Sequence, residues 1–128
     1  MTILIVDAAA KKIYLTHIVN KSIYTCSHDN SKNNFEKLVI LIYDFLNKQK
    51  TTIDNIDKIY VNRGPGSFAG IRNSLSIAKG FYVSKKIDYY CFSYKDFQKS
   101  DTIKHQDVPK LCDKFKIKKN LLNPLYIS

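Results

Sequence analysis

Residues 62 to 72 read Asn62-Arg63-Gly64-Pro65-Gly66-Ser67-Phe68-Ala69-Gly70-Ile71-Arg72. All four glycines of the chain and both of its arginines lie between residues 63 and 80, whereas its lysines are spread over the whole length. Glycine lets the backbone adopt a positive φ or approach a neighbour closely. Arginine presents a planar fork of donors that lysine lacks. We therefore interpret this segment as a turn whose backbone geometry and donor geometry are both specified.

The glycine-rich turn allows two interpretations. In the first, its amides face an anion at the start of the next helix and form a phosphate cradle. In the second, it joins a strand sharply to a helix and aims Arg63 and Arg72. We favour the second, because the segment lacks the Lys-Ser/Thr pair of a P-loop and nucleotide hydrolysis is therefore unsupported. The candidate anion contacts are Arg63, Gly64, Pro65, Gly66, Ser67, Gly70 and Arg72.

Strands are predicted at the start of the chain. Residues 2–6 are a continuous apolar run that ends at Asp7, which is typical of a central strand buried on both faces. Residues 13–19 and 22–26 are predicted to be two further strands, joined by a tight hairpin at Asn20 and Lys21.

Two helices follow, separated by a strand. Apolar residues recur at helical spacing over residues 35–48 and 71–83, the second with Ser67 as a candidate N-cap. Strands are predicted at 58–61 and 89–93, and a weaker pattern at 108–115 is consistent with a last helix. The order predicts an α/β fold: a mixed sheet with the first strand in its middle and both helices adjacent on one face. This is the order of a ribonuclease-H-like half domain of the actin-like ATPase superfamily.

The composition excludes several classes of protein. With 128 residues, 45% hydrophobic and 25% charged, the chain is too apolar for a disordered protein and is expected to form one domain. No apolar run approaches the ~20 residues of a membrane span, and the start of the chain has no basic leader, so we expect no signal peptide. Three cysteines at unrelated spacings indicate reduced thiols and a cytoplasmic protein. The net charge of 21 − 11 = +10 favours an anionic partner such as RNA, although no binding motif accompanies it.

Catalytic and metal chemistry have little support in the sequence. His17, His28 and His105 are far apart and form no metal-binding pair, so no metal site is predicted. Asp7 is the best single candidate for a catalytic acid, because it resembles the acid that actin-like ATPases keep at the end of their first strand. The three alanines that come next, residues 8–10, offer no hydroxyl to a phosphate. We therefore expect Asp7 to be a structural residue.

The two predicted helices carry more apolar surface than one small sheet needs. Residues 35–48 are apolar on more than one face, whereas a helix at the surface of a monomer is apolar on one. We expect the pair to expose a contiguous patch that binds a partner, and that pairs with itself as a two-fold dimer when the chain is alone. The predicted interface residues are Leu38, Leu41, Phe45, Leu75, Ala78 and Tyr82.

The segment from Arg63 to Arg72 resembles the Gly-Arg-Gly-Pro-Gly-Ser-Phe-Thr-Gly-Leu-Arg motif of the TsaB (YeaZ) family of tRNA threonylcarbamoyladenosine biosynthesis proteins. Asn62 replaces the first Gly and Ala69 replaces Thr. The following residues 78–80, Ala-Lys-Gly, match the family as well, and Asp96 stands where the family has Glu. The resemblance covers residues 1–97 and the last few residues.

The resemblance implies a function and a domain division. Residues 1–97 correspond to the family's N-terminal domain, and residues 98–128 to a short remnant of its C-terminal segment, as in a reduced member that lacks most of the second domain. Family members are non-catalytic partners of TsaD, contact it through the two helices, and support threonylcarbamoyl transfer to the adenosine beside the tRNA anticodon. TsaE joins this pair, tRNA is reached through the complex, and no cofactor is implied.

Two other functions remain open at this stage. One is a small nucleotide-binding or hydrolytic domain of the actin-like ATPase type, which uses Asp7 and the glycine-rich turn. The missing hydroxyl after Asp7 counts against it. The other is a stand-alone RNA-binding domain driven by positive charge, which salt-dependent binding of tRNA without a protein partner would support.

Overall fold

The structure is a computed structural model that describes residues 1–98 and 103–126. Its centre is a sheet of five strands in the order β3-β2-β1-β4-β5. The first strand pairs antiparallel with β2 and parallel with β4, so the sheet is mixed and β1 lies in its middle, as predicted. The strands are β1 (Thr2–Asp7), β2 (Lys12–Val19), β3 (Ser22–Asp29), β4 (Lys58–Asn62) and β5 (Asp88–Phe92).

The described part of the chain holds four α-helices: α1 (Lys32–Glu36), α2 (Leu38–Lys48), α3 (Phe68–Lys85) and α4 (Val108–Lys114). The prediction of a single helix over residues 35–48 is wrong at its N-terminal end, where the structure has two helices, α1 and α2. A helical turn begins after Ser31, whose side chain accepts a hydrogen bond from the amide of Asn34, and it ends at Lys37, where φ −112° and ψ 30° leave the helical region. Among residues 1–98 and 103–126, no helix is both long and apolar enough to cross a membrane.

The first face of the sheet is covered by α2 and α3, which lie side by side as predicted. Leu4 and Val6 of β1 and Ile59 and Val61 of β4 point into this core. The two helices bury their own apolar residues against it, including Leu38, Leu41, Ile42, Phe45, Leu46, Ile71, Leu75, Ala78 and Phe81. This core is the larger of the two that the sheet separates.

The second face of the sheet is covered by residues that follow β5. Ile5, Tyr60 and Phe92 form the sheet side of this core, and Phe97 and the α4 residues Val108, Leu111 and Cys112 cover them. Burial on both faces explains why β1 is apolar at consecutive positions. The predicted domain boundary at residue 97 stays a prediction. Residues 103–117 contribute Ile103, α4, Phe115 and Ile117 to the core on this face of the sheet.

Candidate functional site

The glycine-rich turn joins the end of β4 to the start of α3 and packs against the turn that follows β1. A Cβ built on Gly66 would lie 2.0 Å from the carbonyl oxygen of Ala9. Gly64 has φ +108°, and a Cβ there would lie 2.0 Å from the carbonyl oxygen of Leu125. Real Cβ atoms do not approach this closely, so the two glycines permit backbone contacts that no other residue allows.

Three amides of this turn donate hydrogen bonds to acceptors within the chain. The amide of Ser67 donates to the carbonyl of Ala9 at 2.8 Å, and that of Gly64 donates to Oδ1 of Asn62 at 2.8 Å. The amide of Gly70 donates to the hydroxyl of Ser67 at 3.2 Å, so Ser67 is the N-cap of α3, as predicted. These bonds fit a turn that holds the structure together, and anion contact by its residues stays a prediction.

The two arginines of the motif have different surroundings. Arg63 donates from Nε and Nη2 to the two carboxylate oxygens of Asp96, at 3.2 and 2.6 Å, and from Nη1 to the carbonyl of Asn123 at 3.0 Å. Its side chain is only 13% exposed. Arg72 is exposed, and its guanidinium lies 5.8 Å from the ring centre of Phe68. Arg63 therefore fastens the turn to the chain that follows it, and Arg72 faces outward.

The carboxylate of Asp7 lies beside the turn, at the end of β1, and is 5% exposed as a residue. Its Oδ1 accepts from the side chain of Asn62 at 3.0 Å and from the amide of Ala9 at 3.4 Å. Its Oδ2 accepts from the hydroxyl of Tyr94 at 3.0 Å and from Nε2 of His105 at 2.8 Å. Because an ionised carboxylate only accepts hydrogen bonds, Nε2 of His105 carries the proton.

These bonds shift two pKa values. Burial raises the pKa of Asp7, but the hydrogen bond and charge of His105, with the donors Ala9 and Asn62, lower it by more, so it lies below its usual value of 3.8. Burial and the neighbouring Asp7 raise the pKa of Tyr94. Asp7 is therefore held ionised and Tyr94 protonated, which is the pairing that their hydrogen bond requires.

Sequence reasoning missed the role of His105. The residue lies 98 positions after Asp7, in a part of the chain without strong periodicity, and no spacing rule connects the two. Its ring also packs on Tyr14 of β2, with the ring centres 5.2 Å apart. The other two histidines are elsewhere: His17 bonds Gln49, and His28 lies 3.8 Å from the sulfur of Cys26. Within the described part of the chain, no three His, Cys, Asp or Glu side chains come together as metal ligands.

The prediction that the six named interface residues form one exposed patch is wrong. Five of them are between 1% and 9% exposed, because the buried faces of α2 and α3 pack on the sheet: Leu38, Leu41, Phe45, Leu75 and Ala78. Of the six, only Tyr82 is partly exposed. Most of the residues that were predicted to bind a partner therefore pack on the sheet of the same chain.

The outer surface of the same helices carries other apolar side chains. Ile40 is 54% and Tyr43 45% exposed on α2, one helical turn apart. A groove of 360 Å³ lies between α1, α2 and α3, with Val39, Ile77 and Arg72 among its lining residues. These two side chains lie off the buried stripe of α2, and a contiguous apolar patch on the helix pair stays a prediction.

The fold is a ribonuclease-H-like α/β fold, as predicted. YeaZ from Pseudomonas aeruginosa superimposes with a TM-score of 0.66 at 18% identity, over 72% of this chain and 43% of YeaZ. RuvC of Thermus thermophilus, solved with its Holliday-junction substrate, superimposes with a TM-score of 0.52 at 9% identity, over 91% of this chain and 89% of RuvC. At these identities the likeness concerns the fold.

The sequence identifies the family more closely. Residues 26–93 match the family model "TsaD: tRNA N6-adenosine threonylcarbamoyltransferase". The tRNA threonylcarbamoyladenosine biosynthesis protein TsaB of Buchnera aphidicola subsp. Schizaphis graminum is 30% identical over 91 residues, which cover 71% of this chain and 43% of that protein. The chain belongs to this family, on its TsaB (YeaZ) branch, as the motif predicted. It spans less than half the length of both the TsaB relative and YeaZ.

Proposed function

We propose that this chain is a non-catalytic partner of TsaD in threonylcarbamoyl transfer to the adenosine beside the tRNA anticodon. Family membership supports a place in threonylcarbamoyladenosine biosynthesis, which the name of the TsaB relative states for that protein. In this proposal TsaE joins the pair, and tRNA is reached through the complex. The three free thiols fit a reducing cytoplasm, where we propose that the chain acts.

The observation that carries the non-catalytic role is the state of the Asp7 carboxylate. Both of its oxygens already accept hydrogen bonds from within the chain, two each. A carboxylate that binds a metal ion or activates a water needs an oxygen that faces the reactants. The depressed pKa also makes Asp7 a poor proton acceptor near neutral pH. Asp7 is thus suited to fixing the end of β1.

The neighbouring turn supports the same conclusion. A phosphate cradle presents free backbone amides to an anion. Here the amides of Gly64 and Ser67 donate to Asn62 and Ala9, and Gly66 lies directly against the backbone of Ala9. The place next to the turn is filled by residues 8 and 9 of the chain itself. Nucleotide hydrolysis is therefore the less supported of the two functions.

The outer surface of α2 and α3 is where we place the contact with TsaD. Ile40 and Tyr43 are large, apolar or aromatic, and about half exposed, and Val39 and Ile77 line the groove between α1, α2 and α3. Aromatic and aliphatic side chains next to a groove are typical centres of protein interfaces. In isolation the same surface pairs with a second copy about a two-fold axis.

The test is co-purification with TsaD from the same genome. The tagged chain is expected to retain TsaD, and Ile40→Glu is expected to weaken the complex more than tenfold, because it buries an unpaired carboxylate at the contact. Ile23→Glu is the matched control: Ile23 is 43% exposed on β3, at the far edge of the sheet, and its variant should bind TsaD normally. Normal TsaD binding by Ile40→Glu would show that this surface is not the contact.

A further inference from the structure

A cavity of 490 Å³ lies on the second face of the sheet, between the first residues of β1 and β4 and helix α4. Lys58 begins β4, whereas Asn62 and the glycine-rich turn follow at its other end. The cavity therefore lies at the opposite end of these strands from Asp7, and on the opposite face of the sheet from α2 and α3. Neither the Asp7 cluster nor the proposed TsaD contact uses it.

The walls of the cavity are strongly basic. Lys58, Lys110, Lys116 and Lys119 line it, and Asp113 is the one acidic residue among its described lining residues. Of these lysines, Lys119 lies 3.6 Å from Asp88. Lys110 and Lys116 are exposed and form no ion pair with any residue in 1–98 or 103–126. Four ammonium groups around one concave site attract a ligand with several negative charges.

The floor of the cavity is aromatic. Tyr60 and Tyr90 are paired neighbours on β4 and β5, and their rings stack with centres 4.9 Å apart and planes 13° apart. The ammonium of Lys58 lies 5.6 Å from the ring centre of Tyr90. Ile3 and Ile117 complete an apolar surface beside the rings. Tyr60 is only 4% exposed and its ring packs against that of Tyr90, so the partly exposed Tyr90 is the aromatic surface open to a planar group, beside flexible lysines that suit anions linked to that group.

We propose that this cavity binds a segment of unpaired RNA, with phosphates on the lysines and a base against Tyr90. Basic grooves with aromatic platforms are the general means of binding single-stranded nucleic acid. An acidic peptide offers the charges but lacks the planar groups that the floor accommodates. The choice of RNA rests on the proposed function, in which the complex acts on tRNA. The cavity would let the chain hold RNA while α2 and α3 hold a protein.

The test is fluorescence anisotropy of a labelled single-stranded RNA with the full chain, over a series of salt concentrations. If all four lysines contact phosphates, the logarithm of the binding constant should fall with the logarithm of salt with a slope of about −2.8. The double variant Lys110→Ala/Lys116→Ala removes two exposed charges. It should reduce the slope by about 1.4 and weaken binding about 25-fold at roughly 0.1 M salt.

A charge-matched control separates the cavity from general attraction. Lys21→Ala/Lys32→Ala removes the same charge at exposed positions, in the β2–β3 turn and at the start of α1, and should leave the slope within about 0.3 of the unmodified chain. An equal loss in both double variants would overturn the proposal, because binding would then follow net charge alone. Circular dichroism and thermal melting should be unchanged for both, since all four residues are exposed.

Two further probes identify the ligand chemistry. Polyglutamate carries charge without bases, and competition by it as strong as by RNA would overturn the assignment to RNA. A nucleoside monophosphate has one phosphate to meet four lysines and should compete at least tenfold more weakly than RNA at equal nucleotide concentration. Equal competition would assign the cavity to a free nucleotide instead. Both double variants should still retain TsaD, so failure of RNA binding leaves the proposed TsaD partnership separately testable.

Discussion

Nε2 of His105 donates a 2.8 Å hydrogen bond to Oδ2 of Asp7, across 98 positions of sequence. The bond connects the end of the central strand with the chain that covers the second face of the sheet. Asn62 and Tyr94 donate to the same carboxylate, so four parts of the chain meet at one buried group. We therefore expect removal of the Asp7 carboxylate to destabilise the fold, whether or not a partner is bound.

The first prediction concerns pH. Because the pKa of Asp7 is below its usual 3.8 in the folded protein, the stability that its charge contributes is fully present above about pH 3.8. That contribution is lost as the pH falls through the depressed folded pKa. Asp7→Asn should lower the free energy of unfolding near neutral pH by about 2 kcal/mol, measured by urea denaturation. It should also make the free energy of unfolding fall less steeply as the pH is lowered below about 3.8. If the stability of Asp7→Asn fell with acid as steeply as that of the unmodified chain, the ionised Asp7 carboxylate would not be the stabilising group.

The second prediction contrasts two glycines. Gly66→Ala should destabilise the protein by at least about 2 kcal/mol, because the new Cβ would lie 2.0 Å from the Ala9 carbonyl oxygen. Gly80→Ala should stabilise it by about 0.5–1 kcal/mol, because Gly80 is inside α3 with no atom within 4 Å of the added Cβ. Thermal melting checks both. Equal shifts in the same direction would refute the close approach at Gly66.

The third prediction contrasts two neighbours on α2. Leu41 is 9% exposed and packs in the core, so Leu41→Glu should unfold the chain or lower its stability by several kcal/mol. Ile40 is 54% exposed, so Ile40→Glu should stay within about 0.5 kcal/mol of the unmodified protein. Denaturant titration of the two variants checks the direction in which the helix faces. A folded, stable Leu41→Glu protein would mean that the helix is rotated.

The fourth prediction concerns the free thiols. Burial raises the pKa of Cys91 and Cys112 to about 12 each, whereas Cys26 is partly exposed on β3, with a smaller rise. At about pH 8 a thiol of pKa 12 is ionised to roughly one part in ten thousand. Iodoacetamide should therefore alkylate Cys26 well before the other two in the folded protein. Mass spectrometry of the digested chain follows the three rates, and urea should make them equal.

Much of the fold follows from local pattern. The continuous apolar run after Thr2 predicts a strand buried on both faces, and β1 is that strand. The predicted hairpin at Asn20 is also present, since Val19 pairs with Ser22 across it. Ser67 caps α3 because a hydroxyl just before a helix accepts hydrogen bonds from backbone amides that have no partner within the helix. These features depend on a few adjacent residues.

Other features depend on distant residues and could not be predicted. Periodicity predicts a helix over residues 35–48 that is apolar on more than one face, but it does not say which face the sheet covers. The sheet covers the face that carries Leu38, Phe45 and Leu46, and Ile40 and Tyr43 turn outward. The Asp7–His105 bond had no signal, because a lone histidine in a polar segment is compatible with any environment.

The glycine-rich motif also has a consequence for the order of events during synthesis. The carbonyl of Asn123 accepts from Arg63, and the amide of Leu125 donates to the carbonyl of Arg63 at 2.7 Å. These partners are made some sixty residues after the motif. A nascent chain that has already formed β4 and the Arg63–Asp96 pair must therefore leave Nη1 and the carbonyl oxygen of Arg63 to water until residue 125 has left the ribosome. The most recognisable part of the sequence is thus among the last to be completed in space.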